Sequence, residues 1–218
     1  MGVVCVDLDG TLIDSAPDLT AATNRVLAER GLPAVSESVV RARIGGGARA
    51  LIRRVLAHLG APPGDEHEAG RQLVEAYLGA LTVSTRCFPG AHAALTAVRD
   101  DGHRLALTTN KPGTPTARLL EHFALGSLFD VVLAGDTLDV KKPDPRHLTE
   151  AVARCGGGPA LLVGDSRTDA AAAAAAGYPF IAVSFGYSTE PVAALGAVRI
   201  IDHLDALPEA VRAVMPCA

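Results

Sequence analysis

The 218-residue sequence contains no tryptophan, and aromatic residues make up only 4% of it. It has no surplus of basic residues, since 20 lysines and arginines stand against 24 aspartates and glutamates and the net charge is -4. Nucleic-acid binding generally requires a basic surface, so nucleic acid is not an expected partner. No apolar run approaches the length of a membrane span, so no membrane association is expected either.

Export signals and paired cysteines are also missing. Met1 and Gly2 lead directly into an apolar run, without the charged region, apolar stretch and cleavage site of a secretory signal. The four cysteines, Cys5, Cys87, Cys155 and Cys217, form no C-x-x-C pair. Cys5 lies inside the apolar run and is expected to be a small core residue. We therefore expect a reducing, cytoplasmic location.

Apolar residues make up 49% of the sequence. They occur in two patterns, short continuous runs and helical spacing. Beyond residue 88, short apolar runs alternate with segments of helical spacing, which predicts βαβ units. The expected fold is α/β, a Rossmann-like parallel sheet core with helices on both faces. Residues 17–83 interrupt the alternation with helices alone, so we predict an inserted α-helical cap domain there and a core formed by residues 1–16 and 84–218.

The individual elements follow from the same patterns. Strands are predicted at 3–6, 104–110, 129–134, 160–165, 180–183 and 198–201. Helices are predicted at 15–30, 36–44, 48–59, 66–81, 91–101, 114–123, 146–155, 170–176 and 204–215.

Polar side chains end four of the apolar runs or lie in the loops that follow them. They are Asp7 and Asp9; Thr108, Thr109 and Asn110; Lys141 and Lys142; and Asp165 and Asp169. Each one alone is more simply a helix cap or a solvated charge. Because the carboxyl ends of parallel strands meet at one edge of a sheet, together they predict a single pocket.

These residue types suit phosphoryl transfer through a covalent enzyme intermediate. A carboxylate such as Asp7 can attack phosphorus if cations neutralise its repulsion from the phosphate dianion. Asp7 and Asp165 offer the hard oxygen ligands that Mg²⁺ prefers. Lys142 supplies a positive charge and Thr108 a hydroxyl donor for the phosphoryl oxygens. Asp9 can protonate the leaving oxygen and later deprotonate the attacking water.

Four motifs carry a family resemblance that spans nearly the whole chain. They are Asp7-Leu8-Asp9-Gly10-Thr11-Leu12, Thr108-Thr109-Asn110-Lys111, Lys142-Pro143-Asp144-Pro145 and Gly164-Asp165-Ser166-Arg167-Thr168-Asp169. In this order they resemble the motifs of the haloacid dehalogenase superfamily, whose helical cap resembles the segment 17–83.

The resemblance implies a role for each motif residue. Asp7 would be the nucleophile and Asp9 the general acid/base, with Thr108 and Lys142 binding phosphate. Mg²⁺ would be held by Asp7, the Asp9 carbonyl and Asp165, with support from Asp169. The neighbouring motif residues Gly10, Thr11, Thr109 and Asn110 are expected to contact the substrate.

Asp9 also indicates the branch of the superfamily. By resemblance, the dehalogenases lack an acid at this position and the ion pumps carry threonine, whereas phosphatases and phosphomutases carry aspartate. Three further segments are similar to phosphoglycolate phosphatases: Gly135-Asp136-Thr137 followed by Lys141-Lys142-Pro143, Gly164-Asp165-Ser166-Arg167, and Phe185-Gly186-Tyr187. The expected activity is Mg²⁺-dependent hydrolysis of 2-phosphoglycolate, a small-molecule phosphate ester, through an aspartyl-phosphate, by a monomer or homodimer.

Three alternatives stay open. Another small-metabolite or sugar-phosphate phosphatase shares many of these segments, and so does a phosphomutase, although nothing in the sequence shows how water would be excluded from the aspartyl-phosphate. A non-catalytic binding protein of the same fold is disfavoured because the set of polar groups is complete.

The cap offers weaker candidates. Gly45-Gly46-Gly47 follows a predicted helix rather than a strand and is interpreted as a flexible cap loop. Arg49, beside this loop, is our candidate to clamp a substrate carboxylate, since arginine binds carboxylates in a bidentate manner. The seven histidines show no metal-ligand spacing and are expected at surface or loop positions.

Overall fold

The computed structural model of the protein describes residues 1–61 and 64–215. In this part of the chain, six parallel strands form one sheet in the order β5-β4-β1-β6-β7-β8, and β2 and β3 form a separate antiparallel pair. The strands are β1 (Val3–Val6), β2 (Ile13–Asp14), β3 (Arg86–Cys87), β4 (Arg104–Thr108), β5 (Val131–Leu133), β6 (Ala160–Gly164), β7 (Phe180–Val183) and β8 (Arg199–Ile201). All six predicted strands are present, and the predicted fold class is confirmed.

Helices cover both faces of the sheet. They are α1 (Ala16–Glu29), α2 (Glu37–Arg41), α3 (Ala48–His58), α4 (Glu66–Leu78), α5 (Ala91–Asp100), α6 (Gly113–His122), α7 (Arg146–Arg154), α8 (Arg167–Ala176) and α9 (Leu207–Val214). No helix among the described residues combines the length and the apolar character needed to cross a bilayer.

Strand β1 lies at the centre of the sheet and is buried throughout. Its alternate side chains enter two different cores, with Val4 and Val6 on one face and Val3 and Cys5 on the other. A strand covered on both faces must be apolar at every position, which is why its sequence shows no alternation. Cys5 is a buried core residue, as expected, and the other described cysteines, Cys87 and Cys155, are also free thiols.

The short strands β2 and β3 are the unpredicted elements. Ile13 pairs with Cys87 and Asp14 with Arg86, so the pair lies where the chain enters and leaves the helical segment α1–α4. Two-residue strands are too short to produce an apolar pattern, so sequence periodicity could not reveal them. The domain boundaries at 16/17 and 83/84 stay predictions, and Pro62, Pro63 and Cys217 lie outside the described residues.

Several predicted helix limits are wrong. Helix α2 ends at Arg41 rather than residue 44, because the amides of Arg43 and Ile44 bond to carbonyls three residues back in a tighter turn. Helix α4 ends at Leu78 rather than residue 81. Helix α8 begins at Arg167, three residues before its predicted start, because Ser166 caps it. A 3₁₀ turn occupies 204–206 before α9.

The expectation for the histidines, surface or loop positions, fails at one position. His147 is fully buried on α7, where its Nε2 lies 3.3 Å from the carbonyl oxygen of Ala134. His103 is also buried, but it lies in the loop before β4, as expected, and accepts a hydrogen bond from the amide of Gly2 at Nδ1. Burial lowers the pKa of His147 to about 4, so the ring is neutral at pH 7 and fits an apolar interior.

Asp18, buried at the start of α1, binds the segment that leads from α4 back to the core, just before β3. Its carboxylate accepts hydrogen bonds from the amides of Ser84 and Thr85 and from the Thr85 hydroxyl, at 2.7–3.0 Å. Asp18→Ala would leave these buried donors unpaired, so we expect the free energy of unfolding to fall by about 3 kcal/mol in urea denaturation.

The matched control is Asp100→Ala, at an exposed carboxylate at the end of α5. Its effect should stay within about 0.5 kcal/mol. Similar losses for the two variants would show that Asp18 does not hold the chain in this way.

Candidate active site

The carboxyl edge of the sheet brings together the charged residues that were predicted to meet there. Lys142, in the loop before α7, lies with its Nζ 2.9 Å from Asp7 Oδ1 and 2.6 Å from Asp169 Oδ1. Asp165, which follows β6, completes the group, and one carboxylate oxygen each from Asp7, Asp165 and Asp169 lie within 4.8 Å of one another. All four side chains are buried.

Asp169 holds this group in place through its position in α8. Its Oδ2 accepts hydrogen bonds from the amide and hydroxyl of Ser166, while the Ser166 hydroxyl accepts from the Asp169 amide, which forms a capping box. Its Oδ1 accepts from Lys142. Both oxygens of Asp169 are therefore engaged by the protein, and the residue orients Lys142.

The carboxylates carry more negative charge than Lys142 balances. Burial is the main cause that raises the pKa of Asp7 to about 7, against the opposing attraction of Lys142. Burial, followed by the charges of Asp169 and Asp7, raises the pKa of Asp165 well above its usual range. Burial alone would lower the pKa of Lys142, but Asp169 and Asp7 outweigh it and the pKa is raised. A buried set of hard oxygen donors with excess negative charge fits a Mg²⁺ ion, with Asp7 and Asp165 as ligands.

Asp9 is held by a second lysine, Lys111. This residue ends the motif that begins at Thr108, and no role was predicted for it. Lys111 Nζ lies 2.9 and 3.2 Å from the two carboxylate oxygens of Asp9, and the Ser15 hydroxyl donates to Asp9 at 2.5 Å. Lys111 also donates to the hydroxyl of Tyr77, on α4, at 3.2 Å and lies 4.4 Å from the centre of its ring. The sequence signal that could have indicated a role for Lys111 is its position directly after the polar residues that end β4.

A cavity of about 50 Å³ separates Asp7 and Asp9 from the helices α1–α4. The sheet side contributes Asp7, Asp9, Thr109, Asn110 and Lys111, and the helical side is mostly apolar, with Leu19, Ile44, Leu51, Leu73 and Tyr77 among its residues. Of the predicted residues, Asp7, Asp9, Thr109 and Asn110 therefore share one enclosed space.

Thr108 and Thr11 lie beneath this surface. Both are fully buried, and their hydroxyls have no hydrogen-bond partner within the described part of the chain. Gly10, at φ 85°, makes the turn between Asp9 and Thr11, and a Cβ there would clash with Asp165 Oδ2. Buried hydroxyls are usually paired, so two unpaired ones beside Asp7 are consistent with a phosphate subsite.

The glycine loop contacts the sheet side through hydrogen bonds. Asn110 Nδ2 donates to the Gly45 carbonyl and to the Lys142 carbonyl, both at 2.9 Å. Lys141 Nζ donates to the Gly46 carbonyl at 3.0 Å. A Cβ on Gly47 would lie 2.9 Å from the Asn110 carbonyl oxygen, so the close approach requires glycine.

Arg49 lies apart from the cavity. Its side chain is exposed, and Nη1 is 3.0 Å from His67 Nε2 in an outer cleft that Lys141 also lines. The structure does not bring Arg49 to Asp7 and Asp9.

Tyr187 joins the carboxylate group to the entry of the helical segment. Its amide donates to Asp165 Oδ2 at 2.6 Å, and its hydroxyl donates to Asp14 at 2.7 Å and accepts from the Ser15 amide at 2.8 Å. Arg41, on α2, donates to Asp14 at 2.9 Å and lies 4.8 Å from the centre of the Tyr187 ring. The segment Phe185-Gly186-Tyr187 carries a family resemblance in the sequence, but a contact across more than 170 residues leaves no local pattern that would reveal the role of Tyr187.

A parallel sheet that gathers buried carboxylates and a lysine at its carboxyl edge, under inserted helices, defines a class of α/β proteins built to handle a small anionic ligand. The family model described as haloacid dehalogenase-like hydrolase matches residues 1–177, and this chain belongs to that family. The superfamily assignment made from the motifs is thereby confirmed.

Individual relatives match over nearly the full length. The chain is 42% identical over 211 residues to a phosphoglycolate phosphatase of Cereibacter sphaeroides, covering 96% of this chain and 97% of that protein. It is 39% identical over 211 residues to a phosphoglycolate phosphatase of Caulobacter vibrioides, covering 95% and 89%. The crystal structure of a predicted phosphoglycolate phosphatase from Haemophilus somnus superposes with a TM-score of 0.90 at 31% identity, covering 97% and 98%.

The carboxylate group predicts that Mg²⁺ stabilises the folded protein. A ligand that binds only the folded state adds about 2.7 kcal/mol at one hundred times its Kd, which should raise the Tm by roughly 5–10 °C. Asp165→Asn removes the negative charge of one ligand and exchanges one of its oxygens for an amide nitrogen, so it should abolish most of this rise in thermal unfolding with and without MgCl₂. Asp139→Asn, at an exposed carboxylate, should retain it. An undiminished rise in the Asp165 variant would show that the ion binds elsewhere.

Proposed function

We propose that the protein is a Mg²⁺-dependent phosphatase that hydrolyses 2-phosphoglycolate through an aspartyl-phosphate on Asp7. The observation that carries this proposal is the pair Asp7 and Asp9, which face one enclosed cavity while each contacts its own buried lysine. Relatives named phosphoglycolate phosphatases at 39–42% identity support the substrate. The predicted cytoplasmic location and monomeric or homodimeric state belong to the same proposal.

The first half-reaction forms the covalent intermediate. A carboxylate oxygen of Asp7 attacks phosphorus, the bond from phosphorus to the ester oxygen breaks, and Asp9 gives its proton to the leaving oxygen. Lys142 and the hydroxyl of Thr108 neutralise and hold the phosphoryl oxygens. A Mg²⁺ ion held by Asp7, the Asp9 carbonyl and Asp165 would neutralise the phosphoryl charge.

The second half-reaction releases phosphate. Asp9, now ionised, takes a proton from a water molecule. The oxygen of this water molecule attacks phosphorus, and the bond from phosphorus to Asp7 breaks. The products are glycolate and inorganic phosphate, and Asp9 has recovered its proton. Thr109 and Asn110, which line the cavity, are the further proposed substrate contacts from the second motif, and Gly10 and Thr11 those from the first.

The size of the cavity supports a small leaving group. At about 50 Å³ it has room for roughly four water molecules. A two-carbon glycolate group fits this space.

The mechanism predicts different losses for the two aspartates. Asp7→Asn removes the nucleophile, and kcat should fall by roughly 10⁴-fold or more, as for nucleophile loss in other covalent enzymes. Asp9→Asn removes only acid/base catalysis, so a loss of about 10²–10⁴-fold is expected. Steady-state release of phosphate measures both, and rapid quench shows whether the Asp9 variant accumulates phosphoenzyme. Turnover near the wild-type rate in the Asp7 variant, with urea denaturation showing normal folding, would refute the covalent step.

Arg49→Ala tests the clamp predicted from the sequence. A clamp requires KM for phosphoglycolate to rise by an amount much larger than for 2-hydroxyethyl phosphate, which carries a neutral hydroxyl in place of the carboxylate. Because Arg49 is exposed and lies outside the cavity, we expect changes of less than about threefold for both substrates in steady-state kinetics. A rise in KM for phosphoglycolate alone would show that Arg49 does bind the substrate carboxylate.

A further inference from the structure

We infer that Lys111 binds the carboxylate of the substrate and thereby selects small acidic phosphate esters. The inference rests on the proposed function and assigns to a residue of the sheet side the role for which Arg49 was the sequence-based candidate. Three observations carry it: the charge distribution of the cavity, the position of Lys111 relative to Asp9, and the contact that Lys111 makes with α4.

The cavity needs a cation and contains one. Among the described residues that line it, Lys111 is the only lysine or arginine, and most of the remaining surface is apolar. A carboxylate enclosed in such surroundings without a partner would be strongly disfavoured. A substrate with a carboxylate can therefore occupy this space only if Lys111 is its counterion.

The other nearby cations are committed to different partners. Lys142 bridges Asp7 and Asp169, below the point of phosphoryl attack. Lys141 contacts the Gly46 carbonyl and faces the outer cleft together with Arg49. Neither lines the enclosed cavity.

The position of Lys111 matches the covalent structure of phosphoglycolate. In this ester the carboxylate carbon lies only two bonds from the oxygen that leaves phosphorus. Asp9 must reach that oxygen to protonate it, and Lys111 Nζ lies 2.9 Å from Asp9 Oδ1. A cation placed beside the proton donor is therefore placed beside the substrate carboxylate as well.

Lys111 would bind a substrate carboxylate by exchanging one of its present contacts. An ammonium group carries three N–H donors. Within the described part of the chain, Nζ contacts the two carboxylate oxygens of Asp9, at 2.9 and 3.2 Å, and the Tyr77 hydroxyl, at 3.2 Å. A ligand carboxylate would replace the longer of the two Asp9 contacts, and Tyr77 keeps Nζ at the cavity wall.

The amino end of α3 reinforces the same preference. Gly47 and Ala48 line the cavity at the start of this helix, whose first turn contains no acidic residue and whose cap residue makes no side-chain hydrogen bond. The positive end of the helix dipole therefore faces the space in which Lys111 lies. On its own this would be a weak attraction, but it acts in the same direction as the lysine.

The test compares two substrates of equal length in the full-length enzyme with Mg²⁺. Phosphoglycolate carries the carboxylate, and 2-hydroxyethyl phosphate carries a neutral hydroxyl in its place. We expect the wild type to favour phosphoglycolate, and Lys111→Met to reduce the ratio of the two kcat/KM values by about 10- to 100-fold, since the lost contact is to a charged group. Lys111→Arg keeps the charge and should retain most of the preference.

A ratio is used because Lys111 also contacts Asp9. If Lys111 only positions Asp9, Lys111→Met lowers kcat/KM equally for both substrates, and the inference is overturned. A wild type that hydrolyses both esters without preferring phosphoglycolate overturns it too, while the phosphatase proposal stands. A wild type that hydrolyses neither ester fails the proposed function itself. Lys111→Gln, which is neutral and polar, repeats the comparison if Lys111→Met does not fold.

Discussion

The concentration of buried carboxylates at one edge of the sheet is the constraint on which the rest of the structure depends. Asp7 comes from the end of β1, and Asp165 and Asp169 come from the segment that joins β6 to α8. Lys142, from a third segment, is the buried cation that touches Asp7 and Asp169. Removing one partner from such a group would leave an uncompensated buried charge. The chain therefore cannot shift β1, β6 or the start of α8 independently, because each delivers a charge that the others balance.

This constraint explains why Asp7 and Asp9 can have separate tasks although they are two residues apart. Asp7 ends β1 and faces Lys142, whereas Asp9 lies beyond the turn and faces Lys111. In the proposed mechanism Asp7 attacks phosphorus and Asp9 transfers the proton. Separate lysines hold the two carboxylates at different positions in the site, so each can reach a different atom of the phosphate ester.

The sequence was sufficient for the features that are encoded locally. Apolar runs ending in polar residues predicted the six parallel strands and placed Asp7, Asp165, Asp169 and Lys142 at one edge, because strand ends in a parallel sheet converge whatever their separation along the chain. The missed helix limits have local causes, such as the Ser166 cap of α8, whereas the missed features of the site depend on contacts between distant segments. The position of Arg49 outside the cavity follows from how α3 docks, which helix periodicity does not determine. The burial of His147 follows from packing beneath the sheet edge, and its neutral ring carries no sequence signal.

The helical segment is joined to the site through residues that contact both. Asn110 donates to the Gly45 carbonyl of the glycine loop and to the Lys142 carbonyl, and Tyr187 contacts both Asp165 and Asp14. Asn110 and Tyr187 each contact both the helical segment and the site. The interactions that dock the helices therefore form fully only when the buried charged group is assembled. Coupling of this kind is reciprocal, so whatever stabilises the site also stabilises the docked helices. A substrate that contacts Lys142 through its phosphoryl group and Lys111 through its carboxylate would therefore stabilise the docked helices together with the site, and an ester without the carboxylate would stabilise them less.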